Sequence, residues 1–407
     1  MNETRNKFRP EENAILIWNL ALARTAYVSG KELIALRQWA QDGAPSYEKP
    51  QASHPFAKRL IKLGLISDTN KSTILEAIAA SATQKSPTNA FVAPESIHIE
   101  LTGRCPINCP QCYKAGAEAD LPLDKLLQVI RQAGEMQVFQ IALGGGEPLV
   151  YPHLVTAIEE TRHYGMAASV TTSGVGLTTN LLAALKNAGL NHIQVSLNGS
   201  TNEVHSLSRD GFKHGIAALE LLQNTGISYG VNWVARMDNI NDFPALANLA
   251  KGLGTHNLNI LRYKPSPNEP FIDMSLSTDK IVQLEKMIKA IKGIHIKLDS
   301  AFSHLRCSIS GRTSFMSGCG AGRRFIALDS NGAYRPCSHV SMTEESNSLQ
   351  DTWYHSKNLA MFRSLGTNIT QPCATCVYLH GCYGCRAAVL GQGGDFYSGE
   401  KTCITYV

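Results

Sequence analysis

Residues 95–265 alternate between short runs typical of β-strands and amphipathic runs typical of helices, and this alternation constrains the fold more than any other feature. Helix-like runs carry apolar residues at i, i+3, i+4 and i+7, as from Leu123 to Ile130, and several end before a glycine such as Gly189. Such β/α repeats predict a parallel sheet that curls into a partial, TIM-like (β/α)6 barrel, with its chemistry at the carboxyl ends of the strands. The six predicted strands are 96–101, 140–143, 167–172, 192–197, 228–234 and 258–263.

A separate unit precedes the repeats. The apolar stretch 15–28 fits a pair of short strands, and Ser29 and Glu32 have the spacing of a capping box that opens a helix. A second helix is expected near 56–63, followed by a strand at 65–66. This order of strand, helix, helix and strand predicts a small winged-helix-like module.

The residues after the repeats have a different pattern. A helix is predicted over 280–292, and the tail from Cys307 holds eight of the 11 cysteines. Its hairpin-like run contains Asn331-Gly332, a strong turn signal. We expect the tail to have too few apolar runs for a core of its own, so that bound metal would hold it together. The predicted domains are the winged-helix-like module at 1–90, the partial barrel at 91–270, a bridging helix and strand at 271–306 and the Cys-rich tail at 307–407.

Composition and charge exclude several classes of protein. The first 13 residues lack the apolar segment of a secretory signal, and no run of roughly 18 apolar residues predicts a membrane span. We therefore expect a cytoplasmic protein, in which disulfides rarely persist. The net charge is only +5, and its Lys and Arg residues are scattered, which gives no support to nucleic-acid binding. Closely spaced cysteines in a reducing compartment are more often metal ligands.

Three cysteines follow the first strand of the repeats. Cys105, Cys109 and Cys112 are separated by three and two residues, so their thiolates can converge on one cluster. A 4Fe–4S cube takes a ligand on each iron, and three cysteines would leave one iron open to bind a small molecule through nitrogen and oxygen. A zinc site whose fourth ligand lies elsewhere fits the spacing equally well.

Two further motifs follow later strands. The run 144–148, Gly-Gly-Gly-Glu-Pro, comes after the second strand. Its glycines permit close backbone approach, and its carboxylate and carbonyls can receive an ammonium group. After the fourth strand, the run 196–199, Ser-Leu-Asn-Gly, is followed by His205 and Arg209. An arginine at that place can bind a carboxylate through two hydrogen bonds.

In combination these three motifs resemble the radical S-adenosylmethionine (radical SAM) superfamily. The resemblance implies a 4Fe–4S cluster whose open iron binds the amino and carboxylate groups of S-adenosylmethionine. Reductive cleavage then gives methionine and a 5′-deoxyadenosyl radical that abstracts a substrate hydrogen. Position 111, often aromatic in the family, is glutamine here. The implied contacts are Gly145, Gly146 and Glu147 at the amino group, Ser196 and Arg209 at the ribose or carboxylate end, and Gln111, Thr172, Ser173 and Leu261 as further contacts.

The tail resembles the SPASM domain, an extension of peptide-modifying radical enzymes that carries two auxiliary 4Fe–4S clusters. Two closed cubes and one open cube would together use all 11 cysteines. Two zinc-ribbon-like sites built from the same pairs are the alternative. The family usually has one residue more between the positions of Cys382 and Cys385. The implied ligands are Cys307, Cys319, Cys337 and Cys385 for the first auxiliary cluster and Cys373, Cys376, Cys382 and Cys403 for the second.

The resemblance implies an enzyme, a radical SAM oxidoreductase or maturase that modifies a ribosomally made precursor peptide. The product would carry a thioether or carbon–carbon crosslink or another side-chain or backbone modification, and a reductant such as flavodoxin or ferredoxin would supply electrons. The unit 14–84 resembles the winged-helix leader-recognition elements of such maturases. A folded-protein substrate, as in sulfatase maturation, a small metabolite, and a zinc-dependent binding protein are the alternatives. The sequence singles out no catalytic acid or base.

Overall fold

The computed structural model describes residues 6–20, 24–42, 55–113, 118–265, 274–310 and 318–404, without the side chains of residues 307, 308 and 310. Within these ranges, no helix combines the length and the hydropathy that a bilayer crossing requires.

The N-terminal unit is a three-stranded antiparallel sheet followed by three helices. Apolar side chains of the sheet and the helices form one buried cluster. The predicted order of elements is wrong, because all the strands come first and residues 65–66 lie in the turn before the third helix. Leu65 and Ile66 are apolar because they are buried in this cluster, and not because they pair in a sheet. The elements are β1 (Asn6–Glu11), β2 (Ala14–Asn19), β3 (Arg24–Ser29), α1 (Gly30–Gln41), α2 (Pro55–Lys62) and α3 (Lys71–Ser81).

A larger sheet carries the β/α repeats, and it confirms the predicted partial barrel. Its six repeat strands are parallel and neighbour one another in chain order. The strands are β4 (Ser96–Thr102), β5 (Gln140–Gly145), β6 (Ala167–Thr172), β7 (His192–Ser196), β8 (Ser228–Ala235) and β9 (Asn257–Arg262). The helices are α4 (Leu123–Glu135), α5 (Leu154–His163), α6 (Thr179–Asn187), α7 (Asn202–Ser206), α8 (Phe212–Leu222) and α9 (Phe243–Gly252).

The two faces of the large sheet differ in polarity. On β4, Ile97 and Ile99 belong to the buried cluster that also contains the apolar side chains of the helices. Successive strand residues point to opposite faces, so His98 and Glu100 face the other side. On that inner face side-chain amides link the strands, as where Asn259 of β9 donates to Asn232 of β8 at 3.0 Å. The interior is therefore suited to a polar ligand.

Segments that follow the repeats extend the sheet at both edges. After α10 (Thr278–Ala290), β10 (His295–Leu298) pairs in parallel with β9, and α11 (Ser303–Ser310) leads into the tail. β11 (Phe325–Leu328) pairs in parallel with β4, and β12 (Tyr334–Arg335) returns antiparallel to β11. The predicted hairpin is therefore confirmed, and Gly332 in its turn has a φ of +83°. The remaining helices are α12 (Leu349–His355), α13 (Lys357–Arg363), α14 (Leu365–Asn368), α15 (Leu379–Cys382) and α16 (Arg386–Gly391).

The tail has a small apolar cluster of its own, which corrects the expectation that it lacks one. Phe362, Leu365, Ile369 and Leu379 are buried together in it. The contributing residues come from short helices and loops spread over the tail, so no local apolar run in the sequence predicts the cluster. Two of the predicted ligands are themselves among its buried members, Cys373 and Cys385.

Candidate active site at the carboxyl end of the barrel

The three-cysteine loop leaves the carboxyl end of β4. Cys105 is exposed and Cys109 and Cys112 are half-buried. The Cys112 amide donates to the Cys109 carbonyl at 2.9 Å, which turns the chain between them. The thiols lie close enough for their charges to interact. Burial raises the pKa of Cys109, and the Arg209 guanidinium opposes that shift.

The glycine-rich turn after β5 packs directly on the start of this loop. The Gly146 amide donates to the Thr102 carbonyl at 2.7 Å, and the Glu147 amide donates to the Arg104 carbonyl at 2.9 Å. A Cβ on Gly146 would overlap the Arg104 carbonyl oxygen. Gly145 has a φ of +125°, and its Cβ would lie 2.5 Å from the Thr102 carbonyl oxygen. Only glycine lets the two backbones approach this closely.

The Glu147 side chain points into the protein and is fully buried. Its carboxylate accepts hydrogen bonds from the Thr172 hydroxyl at 2.6 Å, from the Ser173 amide at 2.8 Å and from the Ser173 hydroxyl. It also accepts from the Leu149 amide at 3.2 Å. Three predicted contact residues therefore lie together, and the carboxylate joins the end of β5 to the end of β6.

The motif after β7 forms a network of hydrogen bonds. The Asn198 amide N–H donates to Nδ1 of His205 at 3.2 Å, and Nε2 of His205 donates to the Asp210 carbonyl at 3.1 Å. The Asn198 side chain donates to the Ser208 hydroxyl at 2.8 Å and accepts from the Val234 amide at 3.1 Å. Burial lowers the pKa of His205 to about 4, so the ring is neutral and Nδ1 can accept. This network of hydrogen bonds fixes the turn that carries Arg209.

Arg209 faces the three-cysteine loop. Its positive charge lowers the pKa of both Cys105 and Cys109, against the effect of burial. Its Nε is buried without a hydrogen-bond partner among the described residues. A buried donor without a partner costs about 1–3 kcal/mol, so the position fits an anionic ligand held beside the loop.

The other predicted contacts lie on different strands. Gln111 accepts a hydrogen bond from Arg236, a buried side chain just after β8 that also binds Asp238 at 3.0 and 2.6 Å. Ser196 is buried at the end of β7, and Leu261 is half-buried on β9. Arg236 was not predicted from the sequence, because it lies outside the three motifs that resemble the radical SAM superfamily.

The comparisons with known proteins bear on this site directly. The model of the radical SAM superfamily matches residues 99–250, which include the second half of β4, the strands β5 to β8, the three-cysteine loop and the turn after β5. These residues belong to the radical SAM superfamily. Membership implies a 4Fe–4S cluster and S-adenosylmethionine, and the thiols of the three-cysteine loop with the unpaired donor of Arg209 fit that pair of cofactors.

Known proteins are similar over regions that extend beyond the radical SAM domain. The PqqA peptide cyclase of Gluconobacter oxydans is 27% identical over 332 residues, which are 76% of this chain and 90% of the cyclase. The structure of Streptococcus suis SuiB bound to S-adenosylmethionine has a TM-score of 0.76 at 16% identity and covers 98% of this chain and 99% of SuiB. The structure of anSMEcpe with bound AdoMet has a TM-score of 0.63 at 16% identity and covers 76% of this chain and 94% of that protein. The structural likeness shows a shared fold.

Two further groups of cysteines lie in the tail, beyond the radical SAM domain. One cavity is lined by the four cysteines that were assigned to the second auxiliary cluster. The Glu400 amide donates to Sγ of Cys373 at 3.2 Å, and the Tyr378 amide donates to Sγ of Cys376 at 3.4 Å. Backbone N–H groups aimed at sulfur are suited to thiolates. The cysteines that line the cavity are Cys373, Cys376, Cys382 and Cys403.

The other group contains Cys319, Cys337 and Cys385. Their charges interact, and burial raises the pKa of Cys337 to about 12. The side chain of Cys307, assigned to the same cluster, lies outside the described residues. Among the side chains that the structure does describe, no three His, Cys, Asp or Glu residues are arranged around a single metal ion. In a cube each thiolate binds its own iron, so its ligands need not meet at one point.

Proposed function

We propose that this protein is a radical SAM enzyme that modifies a ribosomally made precursor peptide. Two similarities support a peptide substrate. The relatives from Gluconobacter oxydans and Methylorubrum populi are named PqqA peptide cyclase, and one SuiB structure that covers 98% of this chain holds the precursor peptide SuiA. The SuiB likeness includes the N-terminal unit, whereas anSMEcpe covers only 76% of the chain. This fuller coverage favours a precursor peptide, such as the one bound in the SuiB structure, as the substrate.

The observation that carries the proposal is the unpaired guanidinium of Arg209 beside the thiols of Cys105 and Cys109. When bound, the cluster and S-adenosylmethionine supply a 5′-deoxyadenosyl radical that abstracts a hydrogen from the peptide. Arg209 would bind the carboxylate or ribose end of the nucleotide, and Glu147 would hold the turn of β5 against the loop. The proposed contacts are Gln111, Gly145, Gly146, Glu147, Thr172, Ser173, Ser196, Arg209 and Leu261, and the proposed ligands of this cluster are Cys105, Cys109 and Cys112.

The tail would hold two auxiliary 4Fe–4S clusters, which gives the enzyme three in all. The cavity lined by four cysteines and the group around Cys337 support this assignment. Closed cubes offer no iron to a ligand, so they would accept an electron from the substrate or stabilise the tail. The proposed ligands are Cys307, Cys319, Cys337 and Cys385 for the first and Cys373, Cys376, Cys382 and Cys403 for the second.

The N-terminal unit would bind the leader of the precursor as an added strand. Its sheet has the order β1-β2-β3, so β1 and β3 form its edges. β1 is held against the barrel, because Arg9 donates to the carbonyls of Ala93 and Pro94 at 2.9 and 2.8 Å. Pro10 also leaves β1 without one N–H donor. No strand in the described ranges pairs with the outer side of β3, so we assign the leader to that edge.

The reaction we favour is a crosslink, thioether or carbon–carbon. A reductant such as flavodoxin or ferredoxin would supply the electron that starts each cycle. The ten cysteines whose side chains are described are all free of disulfides, which suits a reducing compartment, and we place the enzyme in the cytoplasm.

The function is tested with anaerobically reconstituted protein, S-adenosylmethionine, reductant and candidate precursor peptides. We expect 5′-deoxyadenosine together with a lower peptide mass, since a crosslink removes hydrogen. A Thr25→Pro variant, which alters the β3 edge within the N-terminal unit, should modify a leaderless peptide as wild type does and the full precursor less well. Formation of 5′-deoxyadenosine with no mass change for any precursor would refute the peptide substrate.

A further inference from the structure

A buried histidine lies in the wall of the four-cysteine cavity and has no role in the function proposed above. His304, on α11, is only 2% exposed and lines this cavity together with Cys373, Cys376, Cys382 and Cys403. Cys307, an assigned ligand of the other auxiliary cluster, follows three residues later on the same helix. α11 therefore carries both a residue of this cavity and an assigned ligand of the other cluster.

Neither ring nitrogen of His304 has a hydrogen-bond partner among the described residues. An imidazole carries at least one N–H in either protonation state, so a donor is buried without an acceptor. The nearby carboxylate of Glu400 is already engaged, since it accepts from Arg262 at 2.8 and 2.9 Å and from the Thr402 hydroxyl at 3.0 Å. The cavity itself is the remaining place for an acceptor.

We propose that His304 donates an N–H hydrogen bond to a sulfur of the cluster held by the four cavity cysteines and thereby raises its reduction potential. This inference rests on the proposed function, which places a 4Fe–4S cluster there. Thiolate and sulfide sulfurs are acceptors, and hydrogen bonds to them help to set cluster potentials. The donor stabilises the reduced cluster more, because that form carries more negative charge.

His304 is also the donor that can be changed without altering the backbone. The amides of Glu400 and Tyr378, which donate to Cys373 and Cys376, belong to the main chain and are not removed by a side-chain substitution. His304→Phe keeps a ring and removes the donor, whereas His304→Gln keeps an N–H donor. Leu379→Val is a matched control, because Leu379 lines the same cavity and has no polar group to lose.

The experiment is an EPR-monitored redox titration of full-length, anaerobically reconstituted protein, after iron has been counted. We expect about 12 iron atoms per chain in wild type and in each variant. His304→Phe should make reduction of one cluster roughly tenfold less favourable, a shift of about 59 mV to lower potential for a one-electron couple. His304→Gln should recover most of the shift, and Leu379→Val should leave all potentials unchanged.

The outcomes separate this inference from the proposed function. Twelve iron atoms with no shift in His304→Phe, or an equal shift in Leu379→Val, overturn the role of His304 and leave the cluster assignment standing. Loss of about four iron atoms in His304→Phe but not in His304→Gln supports the donor, whereas loss in both refutes it. An iron count that does not fall when Cys373 and Cys376 are both replaced overturns the second auxiliary cluster, and the role of His304 with it.

Discussion

The carboxyl end of the barrel, called the mouth below, and the tail hold their cysteines in different ways. At the mouth, backbone hydrogen bonds hold the start of the three-cysteine loop against the turn at Gly145 and Gly146, and the hydrogen bonds of His205 fix the turn that carries Arg209. In the tail, the cysteines lie in loops and short helices, and two of them belong to the small apolar cluster itself. In the proposed enzyme, the cluster with an open iron would be held at the end of a large sheet, whereas the proposed clusters closed by four thiolates would help to stabilise their own domain.

The largest expected effect is a selective loss of tail structure when iron is removed. Chelation should release hydrogen-exchange protection in the segment from Cys373 to Cys403, because bound metal contributes directly to the folding of small Cys-rich units. The strands β4 to β9 should keep their protection, since their core contains no cysteine. Hydrogen exchange followed by mass spectrometry tests both statements. An equal loss of protection in the tail and in the barrel would contradict the proposed difference between the two regions.

A buried ion pair joins the two regions and should show the next largest effect. Arg262 at the end of β9 binds Glu400 of the tail at 2.8 and 2.9 Å, and both side chains are buried. Glu400→Gln should lower the free energy of unfolding by about 3–5 kcal/mol, because it leaves an unpaired buried charge. The double change to Arg262→Met with Glu400→Leu should cost less than the single one. Denaturant unfolding measures both, and a smaller loss in the single variant would contradict the account.

Replacing Arg209 should weaken ligand binding at the mouth and leave the tail unchanged. Arg209→Gln removes the charge beside Cys105 and should weaken S-adenosylmethionine binding roughly 10- to 100-fold, as expected for one charge-assisted contact. The unfolding midpoint and the iron content should stay near wild type. The control is Arg37→Gln on α1, a charge outside the barrel. Equilibrium binding to the anaerobic protein is the measurement, and unchanged affinity would remove Arg209 from the site.

The smallest expected effect is on the stability of the fold at acidic pH. Just after β10, Nζ of Lys264 lies 2.9 Å from a carboxylate oxygen of Asp299. Burial raises the pKa of Asp299, but the charge and the hydrogen bond of Lys264, together with the Ala301 amide, lower it to about 2. A carboxylate with a depressed pKa stabilises the fold above its unfolded pKa and loses that contribution as the pH falls toward the folded value. Asp299→Asn should therefore cost at most about 2 kcal/mol at neutral pH, and its difference from wild type should shrink between pH 3.8 and 2. Urea titrations of the metal-free protein at several pH values test this window.

The sequence predicted the local features of the molecule better than its long-range pairings. The six repeat strands and the hairpin at Gly332 follow from periodicity and turn chemistry, which are local. The pairing of β11 with β4 has no local signal, since it joins segments more than two hundred residues apart. The same holds for the packing of Leu65 in the N-terminal unit and for the Arg236–Gln111 contact. The predicted contact Glu147 was found beside Thr172 and Ser173, but its inward direction depends on tertiary packing.

The most direct test of the account is the formation of 5′-deoxyadenosine by two multiple cysteine variants. Replacing Cys105, Cys109 and Cys112 together with alanine should abolish it in the presence of S-adenosylmethionine and dithionite. Replacing Cys373 and Cys376 should leave at least slow, uncoupled cleavage, because the proposed ligands of the cleaving cluster all lie in the loop after β4 and none lies in the tail. Undiminished 5′-deoxyadenosine from the triple variant would contradict the assignment of the cleavage site to the mouth of the barrel.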